Sequence, residues 1–182
     1  MPLKKLVEVW DGQKLIEPNI EFLKQKTKEV ILPISANTKT ILKDLLDTYQ
    51  ATPCAGIAAN QIGYDKQIFI GLKHDNYDDD NEKLAENANR DNYEFYINPK
   101  IDRSDNKSIQ EGEEGCLSIP EIRLITERFD NIKVRYFNES GKKIKKPLKG
   151  FMSKLFQHEL DHLNGVLMVE NKKIKNIFQI SE

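Results

Sequence analysis

Gln157-His158-Glu159-Leu160-Asp161-His162-Leu163-Asn164-Gly165, residues 157–165, holds the pattern H-E-x-x-H at His158, Glu159 and His162. On an α-helix, positions four apart lie about 40° apart around the axis and about 6 Å along it. Two imidazoles so placed can grip one metal ion, with Glu159 beside them as general base toward a metal-bound water. The flanking sequence supports a helix. Phe151, Leu155, His158, Glu159 and His162 form one stripe at helical spacing, and Asn164-Gly165 reads as a C-terminal stop. The chain has three histidines, and this motif takes two of them. Five residues alone would also fit a solvated helix whose histidines meet by coincidence, so the other segments carry the weight.

A chain of 182 residues suits one domain with a real core. At a formal net charge of −1, with 31 % charged residues, no overall field favours nucleic acid or an anionic membrane. The hydrophobic fraction of 38 % fits a globular protein with polar loops. No apolar run approaches membrane-spanning length, and Met1-Pro2-Leu3-Lys4-Lys5 leads into no signal-peptide core, so a cytoplasmic protein is expected. Cys54 and Cys116 are too few for a disulfide framework, and no bridge between them is expected.

Residues 1–36 read as an N-terminal arm around the core, with a short helix opening at Glu17-Pro18. A clearer helix starts at Asn37. Ile41, Leu42, Leu45, Leu46 and Tyr49 give its period, Asn37 or Thr38 its cap and Pro53 its stop. Small residues then crowd Cys54-Ala55-Gly56-Ile57-Ala58-Ala59-Asn60-Gln61-Ile62-Gly63, permitting close backbone approach, and Gln61 adds a side chain that both donates and accepts. Strands are expected at 67–72, 94–101, 122–126, 131–138, 143–148 and 166–170, with Pro99 marking a strand end or edge. Residues 74–94 are rich in Asp, Asn and Glu. They lack the ligand order and glycine of a calcium loop and read as a solvated surface loop with His74 at its edge. The lysines at 142, 143, 145, 146 and 149 read as a solvated basic face, since no aromatic residues interleave them. Residues 171–182 read as a polar tail.

Strands before and after one metal-bearing helix predict an α+β fold, with antiparallel β-sheets packed around a central H-E-x-x-H helix. Such a pair needs a third protein ligand. Cys116, His74 and many carboxylates are available; no histidine follows His162, and Glu170 falls in a strand-like segment. Cys116 is the better candidate, although a lone cysteine also reads as a small core residue. Cys116, His158 and His162 would make a set soft enough for zinc or ferrous iron, with the thiolate as ligand and not nucleophile.

Three segments together resemble peptide deformylase: Gly56-Ile57-Ala58-Ala59-Asn60-Gln61, Glu114-Gly115-Cys116-Leu117-Ser118 and Gln157-His158-Glu159-Leu160-Asp161-His162. They stand in the family's order and span most of the chain, and the second and third match fully. The resemblance implies one catalytic domain over 1–182 that hydrolyses the formyl group from the N-terminal formyl-methionine of new polypeptides, releasing formate. It implies one divalent metal ion, natively Fe2+, with Zn2+, Ni2+ or Co2+ as substitutes, held by Cys116, His158 and His162. Metal-bound water would attack the formyl carbon with Glu159 as general acid/base, and the Gln61 amide and the Leu117 backbone N–H would stabilise the oxyanion. The substrate, an N-formyl-methionyl peptide or nascent chain met near the ribosome, would lie extended beside Gly56. Its methionine pocket is expected from Ile57, Leu117, Leu155 and Phe156, with Arg123 reaching the peptide backbone. Gln157, Gly115 and Asp161 would support the motifs.

The first motif departs from the family at its opening, where Cys54 replaces glycine and Ala55 a branched aliphatic residue. A glycine-only backbone conformation would be lost if one were needed there. The segment after Gly165 also departs, reading Val-Leu-Met-Val-Glu-Asn. Two other functions are weighed against an active deformylase. One is a deformylase-like binder of N-terminal peptides without turnover; the other is a general H-E-x-x-H zinc peptidase using Glu170.

Overall fold

The structure, a computed structural model, describes residues 3–75 and 91–179. Helix α1 (Glu17–Leu23) opens with Pro18 at its first turn, where a missing N–H is harmless. Helix α2 (Ala36–Ala51) is capped by Ser35, whose hydroxyl accepts from the Thr38 N–H at 3.2 Å. The cap therefore falls ahead of Asn37 and Thr38, and the helix begins one residue earlier than its apolar period suggests.

Eight strands follow the arm and α2: β1 (Gly56–Ala58), β2 (Ile68–Gly71), β3 (Glu94–Ser104), β4 (Ile109–Cys116), β5 (Ile119–Phe129), β6 (Asn131–Phe137), β7 (Lys143–Lys149) and β8 (Ile174–Gln179). Helix α3 (Gly150–Leu163) lies between β7 and β8 in sequence. The strands form two antiparallel sheets, ordered β1-β2-β3-β6-β7 and β4-β5-β8. Strand alternation gives the larger sheet two apolar faces. Phe69, Tyr96, Val134 and Tyr136 pack on Met152, Leu155 and Phe156 of α3. Ile68, Ile70, Phe95 and Ile97 pack on Ile41, Leu42 and Leu45 of α2. A third core joins Cys116, Ile119 and Leu124 to Val9, Leu23, Leu167 and Met168. The H-E-x-x-H helix is thus central, as an α+β reading requires.

Two expectations are corrected and one is located. Residues 166–170 form no strand; Met168–Glu170 is a 3-10 turn, and Leu167 and Met168 fill the third core. The polar tail contains β8, paired with β5 from Ile122↔Gln179 to Thr126↔Ile174. Pro99 lies in β3 just past Ile97, the last residue paired with β2, and at a bulge in the ladder with β6, so it stands where that side of β3 becomes an edge and no ladder N–H is demanded. Most of the acidic loop, residues 76–90, and the last three residues lie outside those described, while His74 is exposed. Among the described residues no helix is long and apolar enough to cross a membrane.

Candidate metal and catalytic site

Strand β4 runs beside α3 in matched steps. Two strand residues advance about 6.8 Å and four helical residues about 6 Å, so alternate strand positions meet every fourth helical one. Gly112 lies under Lys154, where an added Cβ would stand 2.9 Å from Nζ. Glu114 meets His158, with Oε2 2.9 Å from Nδ1. Cys116 meets His162, with Sγ 3.2 Å from Nε2. Lys154 also donates to the Glu113 carbonyl at 3.0 Å, tying the strand to the helix.

This register brings one donor atom each of Cys116, His158 and His162 within 4.8 Å of one another. Burial drives the Cys116 thiol up, but the His162 charge and hydrogen bonds from both histidines outweigh it and hold it well below the usual thiol range. A thiolate with one nitrogen of each imidazole close by is the donor set a divalent cation needs. Two buried atoms here have no hydrogen-bond partner, Glu159 Oε2 and His162 Nδ1. The residues therefore fit a metal centre. His74 and Glu170 stand outside it. His74 is exposed, and Glu170 is held by Lys24 Nζ at 2.6 Å and the Leu167 N–H at 3.3 Å.

Behind the histidines lies a network whose arginine sequence reasoning missed. Arg128 of β5 is buried and donates to both Glu114 oxygens, at 2.7 and 2.9 Å, and to Asp161 at 2.6 Å. Burial pushes the Glu114 carboxyl up, yet hydrogen bonds from Arg128 and His158 hold it down to about 2. An ionised Glu114 accepts the His158 Nδ1–H and leaves Nε2 free to ligate, the outer support that ligating histidines require. The available signal was an arginine at the inward parity of a strand, in step with Leu124 and Thr126.

Glu159 is 3 % exposed, and burial pushes its carboxyl up to about 7 despite the nearby histidines. It sits against Gly56, where an added Cβ would lie 2.7 Å from Oε1 and 2.9 Å from Leu155 Cδ1. Gln61 is buried in the 3-10 turn Ala59–Ile62 after β1. Its oxygen accepts from the Ala58 N–H at 2.9 Å, which aims Nε2 at Cys116 Sγ (3.5 Å) and the Ser118 hydroxyl (3.3 Å). Leu117, half-buried, sits in the tight turn from β4 into β5 beside that amide. Asn60 donates to the His162 carbonyl at 2.7 Å, joining the same turn to the metal helix.

The expected methionine pocket divides. Leu155 adjoins Gly56 and Glu159, and Leu117 stands between Cys116 and Ser118, the two residues that the Gln61 amide reaches, with its half-buried side chain packed partly on the α2-side core. Phe156 is instead locked edge-on against Phe69 and Tyr96 in the core. The Ile57 side chain is buried on the α2 face, leaving its backbone on edge strand β1. Arg123 lies across Gly115, where a Cβ would come within 2.5 Å of the guanidinium, and donates to the Ile122 carbonyl at 3.2 Å. Cys54 takes no left-handed conformation, since Asn98 is the one non-glycine residue with positive φ among those described.

Known proteins carry the same sequence pattern and fold. The family model for polypeptide deformylase matches residues 13–176. A peptide deformylase of Aquifex aeolicus is 35 % identical over 159 residues, covering 87 % of this chain and 86 % of the relative. One from Fusobacterium nucleatum is 37 % identical over 151 residues, covering 82 % and 78 %. The crystal structure of the Thermotoga maritima peptide deformylase aligns with a TM-score of 0.75 at 28 % identity, covering 97 % of this chain and all of that one. A peptide deformylase from Acinetobacter baumannii with Met-Ala-Ser bound aligns at 0.74 with 28 % identity, covering 93 % and 98 %. With the match running almost from end to end and relatives above 30 % identity across most of both chains, this chain belongs to the polypeptide deformylase family.

Proposed function

We propose that this chain hydrolyses the formyl group from the N-terminal formyl-methionine of newly made polypeptides, releasing formate and a free amine. The observation that carries it is the convergence of Cys116, His158 and His162 beside the unpartnered Glu159 oxygen, next to Gly56 on an edge strand. A divalent cation held by those three side chains supplies Lewis-acid chemistry, activating water and polarising the formyl carbonyl. Ferrous iron is the native ion in this proposal, with zinc, nickel or cobalt as substitutes.

Glu159 takes the proton of the attacking water and gives it to the departing amine as the C–N bond breaks, so one carboxylate serves both steps. A carboxyl raised to about 7 suits both halves of that exchange. The Gln61 amide, held by the Ala58 N–H, and the Leu117 backbone N–H donate to the oxygen that gains charge. The free edge of β1 receives the extended peptide by backbone hydrogen bonds; the Acinetobacter baumannii protein has been crystallised with Met-Ala-Ser bound. Leu155 and Leu117 border the methionine side chain, and Arg123 reaches the peptide backbone further along. The reaction belongs in the cytoplasm, close to the ribosome where formylated chains emerge.

Metal titration tests the ligand assignment. Wild-type protein is expected to bind one equivalent of Co2+ or Ni2+. Cys116→Ser is expected to weaken binding by about 100-fold or more, and Glu170→Gln to leave it unchanged. The reverse pattern would assign the third ligand to Glu170 and favour a general peptidase.

A further inference from the structure

Helix α2 packs on β1 and β2, and the same face of the sheet continues past it across the end of β3, β6 and β7. Register there aligns cations that sequence keeps apart. Arg103 lies opposite Lys133, Lys100 opposite Arg135 and Arg135 opposite Lys145, with Lys143 and Lys149 at the same parity on β7. Lys100 pairs with Glu29 and Arg135 with Asp102, each at 2.7 Å. Among the described residues, Arg103, Lys133, Lys143, Lys145 and Lys149 have no carboxylate within ion-pair distance, and all five are exposed. A groove of about 590 Å³ runs between Arg103, Lys133 and Lys149. Asp105 at its rim is turned into its own loop, accepting the Lys107 N–H at 3.0 Å.

Like charges facing one another across strands are destabilising. Lysines and Pro147 on β7 are accounted for by protection of an edge strand. β2 pairs with β3 only as far as Ile97, so Arg103 also stands on an edge; edge protection does not account for Lys133, which lies on β6 between β3 and β7. In a chain of net charge −1, five cations on one face with no ion-pair partner among the described residues are a marked segregation of charge.

We propose that this face docks the phosphate backbone of RNA. Its cations stand about 6.8 Å apart along a strand and about 4.8 Å apart between strands, a spread array that suits closely spaced phosphates. A small anion would need donors converging on one point. The strand positions that form this face carry no exposed large apolar side chain; Ile31, two residues from the Glu29 that pairs with Lys100, is the exposed apolar residue at its margin, and the vesicle arm of the test addresses a membrane. RNA as the source of the phosphates rests on the proposed function, whose substrate arises in translation; the charge argument does not.

The test is fluorescence anisotropy with a labelled RNA duplex of about 20 base pairs, titrated between about 50 and 200 mM salt. Wild-type protein and Lys133→Glu/Lys145→Glu are compared, with anionic phosphatidylglycerol vesicles and polyglutamate as further ligands. Wild type is expected to bind RNA with a log–log salt slope of about −3. The double variant is expected to bind about tenfold or more weakly, with a slope about two shallower and metal binding unchanged. No RNA binding, a flat slope, an unaffected variant, or equal or tighter binding to vesicles or polyglutamate would each overturn the proposal. If the charge-reversed chain fails to fold by circular dichroism, Lys133→Gln/Lys145→Gln takes its place with the same direction of change. Because binding is read without turnover, failure here is separate from failure of the deformylase reading.

Discussion

Gly56 and Cys54, two residues apart, show how differently neighbouring side chains bear on one site. A methyl group at Gly56 would stand 2.7 Å from the Glu159 carboxylate and 2.9 Å from Leu155. Gly56→Ala should therefore shift Glu159 and lower kcat/KM by about 100-fold, the scale of a 1 Å misplacement, with metal content unchanged. Steady-state formate release and metal analysis check this together. Cys54 departs from the family pattern, yet its backbone is ordinary and its thiol is pushed up to about 12 by burial and by the Glu159 charge. The reactive thiolate is then about one part in 10⁴ at pH 8, so Cys54 should resist iodoacetamide there and react faster as pH rises. Rapid alkylation of Cys54 at pH 8, followed by mass spectrometry, would contradict that burial. At this scale the sequence was most readable where chemistry depends on local spacing, as in His158, Glu159 and His162. Ile57 and Phe156 were misplaced because an apolar residue beside a motif looks the same whether it faces ligand or core.

Between elements, the decisive fit is β4 against α3, where Glu114 and Cys116 step in time with His158 and His162. Arg128 on β5 holds that arrangement from behind. Arg128→Met would strip the buried Glu114 of its cation and leave it the His158 Nδ1–H alone, and breaking a buried pair in this way costs up to about 3–5 kcal/mol. The melting temperature should fall, and metal affinity measured by chelator competition should drop about 10- to 100-fold. Arg128→Met/Glu114→Gln should recover part of the stability without recovering the affinity, because His158 loses its ionised partner. Equal affinity in all three proteins would remove Arg128 and Glu114 from the support of the metal. Asp161 was legible as a support of the motif, but Arg128 was not, since inward-facing parity becomes meaningful only once the register of β5 is known. Strand β8 was hidden for a related reason. The polar run Asn171-Lys172-Lys173 ahead of it reads as tail, and only pairing with β5 gives Ile174–Gln179 a structure.

Across the whole molecule, both sheets and the second core meet at the helix that carries the site, so metal binding and folding should be coupled. With free metal at about 1,000 times Kd, binding stabilises the folded chain by about 4 kcal/mol. For a chain of this size, chelation should then lower the melting temperature by roughly 10 °C. An unchanged melting curve on metal removal would mean that the donor set holds no cation tightly. The α+β architecture was legible because one periodic helix stands among alternating strands. The division into two sheets was not, because nothing local distinguishes β4-β5 from β6-β7. The most direct test is formate release from a formyl-Met-Ala-Ser peptide. It needs protein purified without oxygen and loaded with ferrous iron, alongside Glu159→Ala loaded in the same way. Release by the wild type, lost in a variant that still binds metal, is the predicted result. No formate from correctly metallated wild-type protein, or undiminished release from Glu159→Ala, would contradict the account.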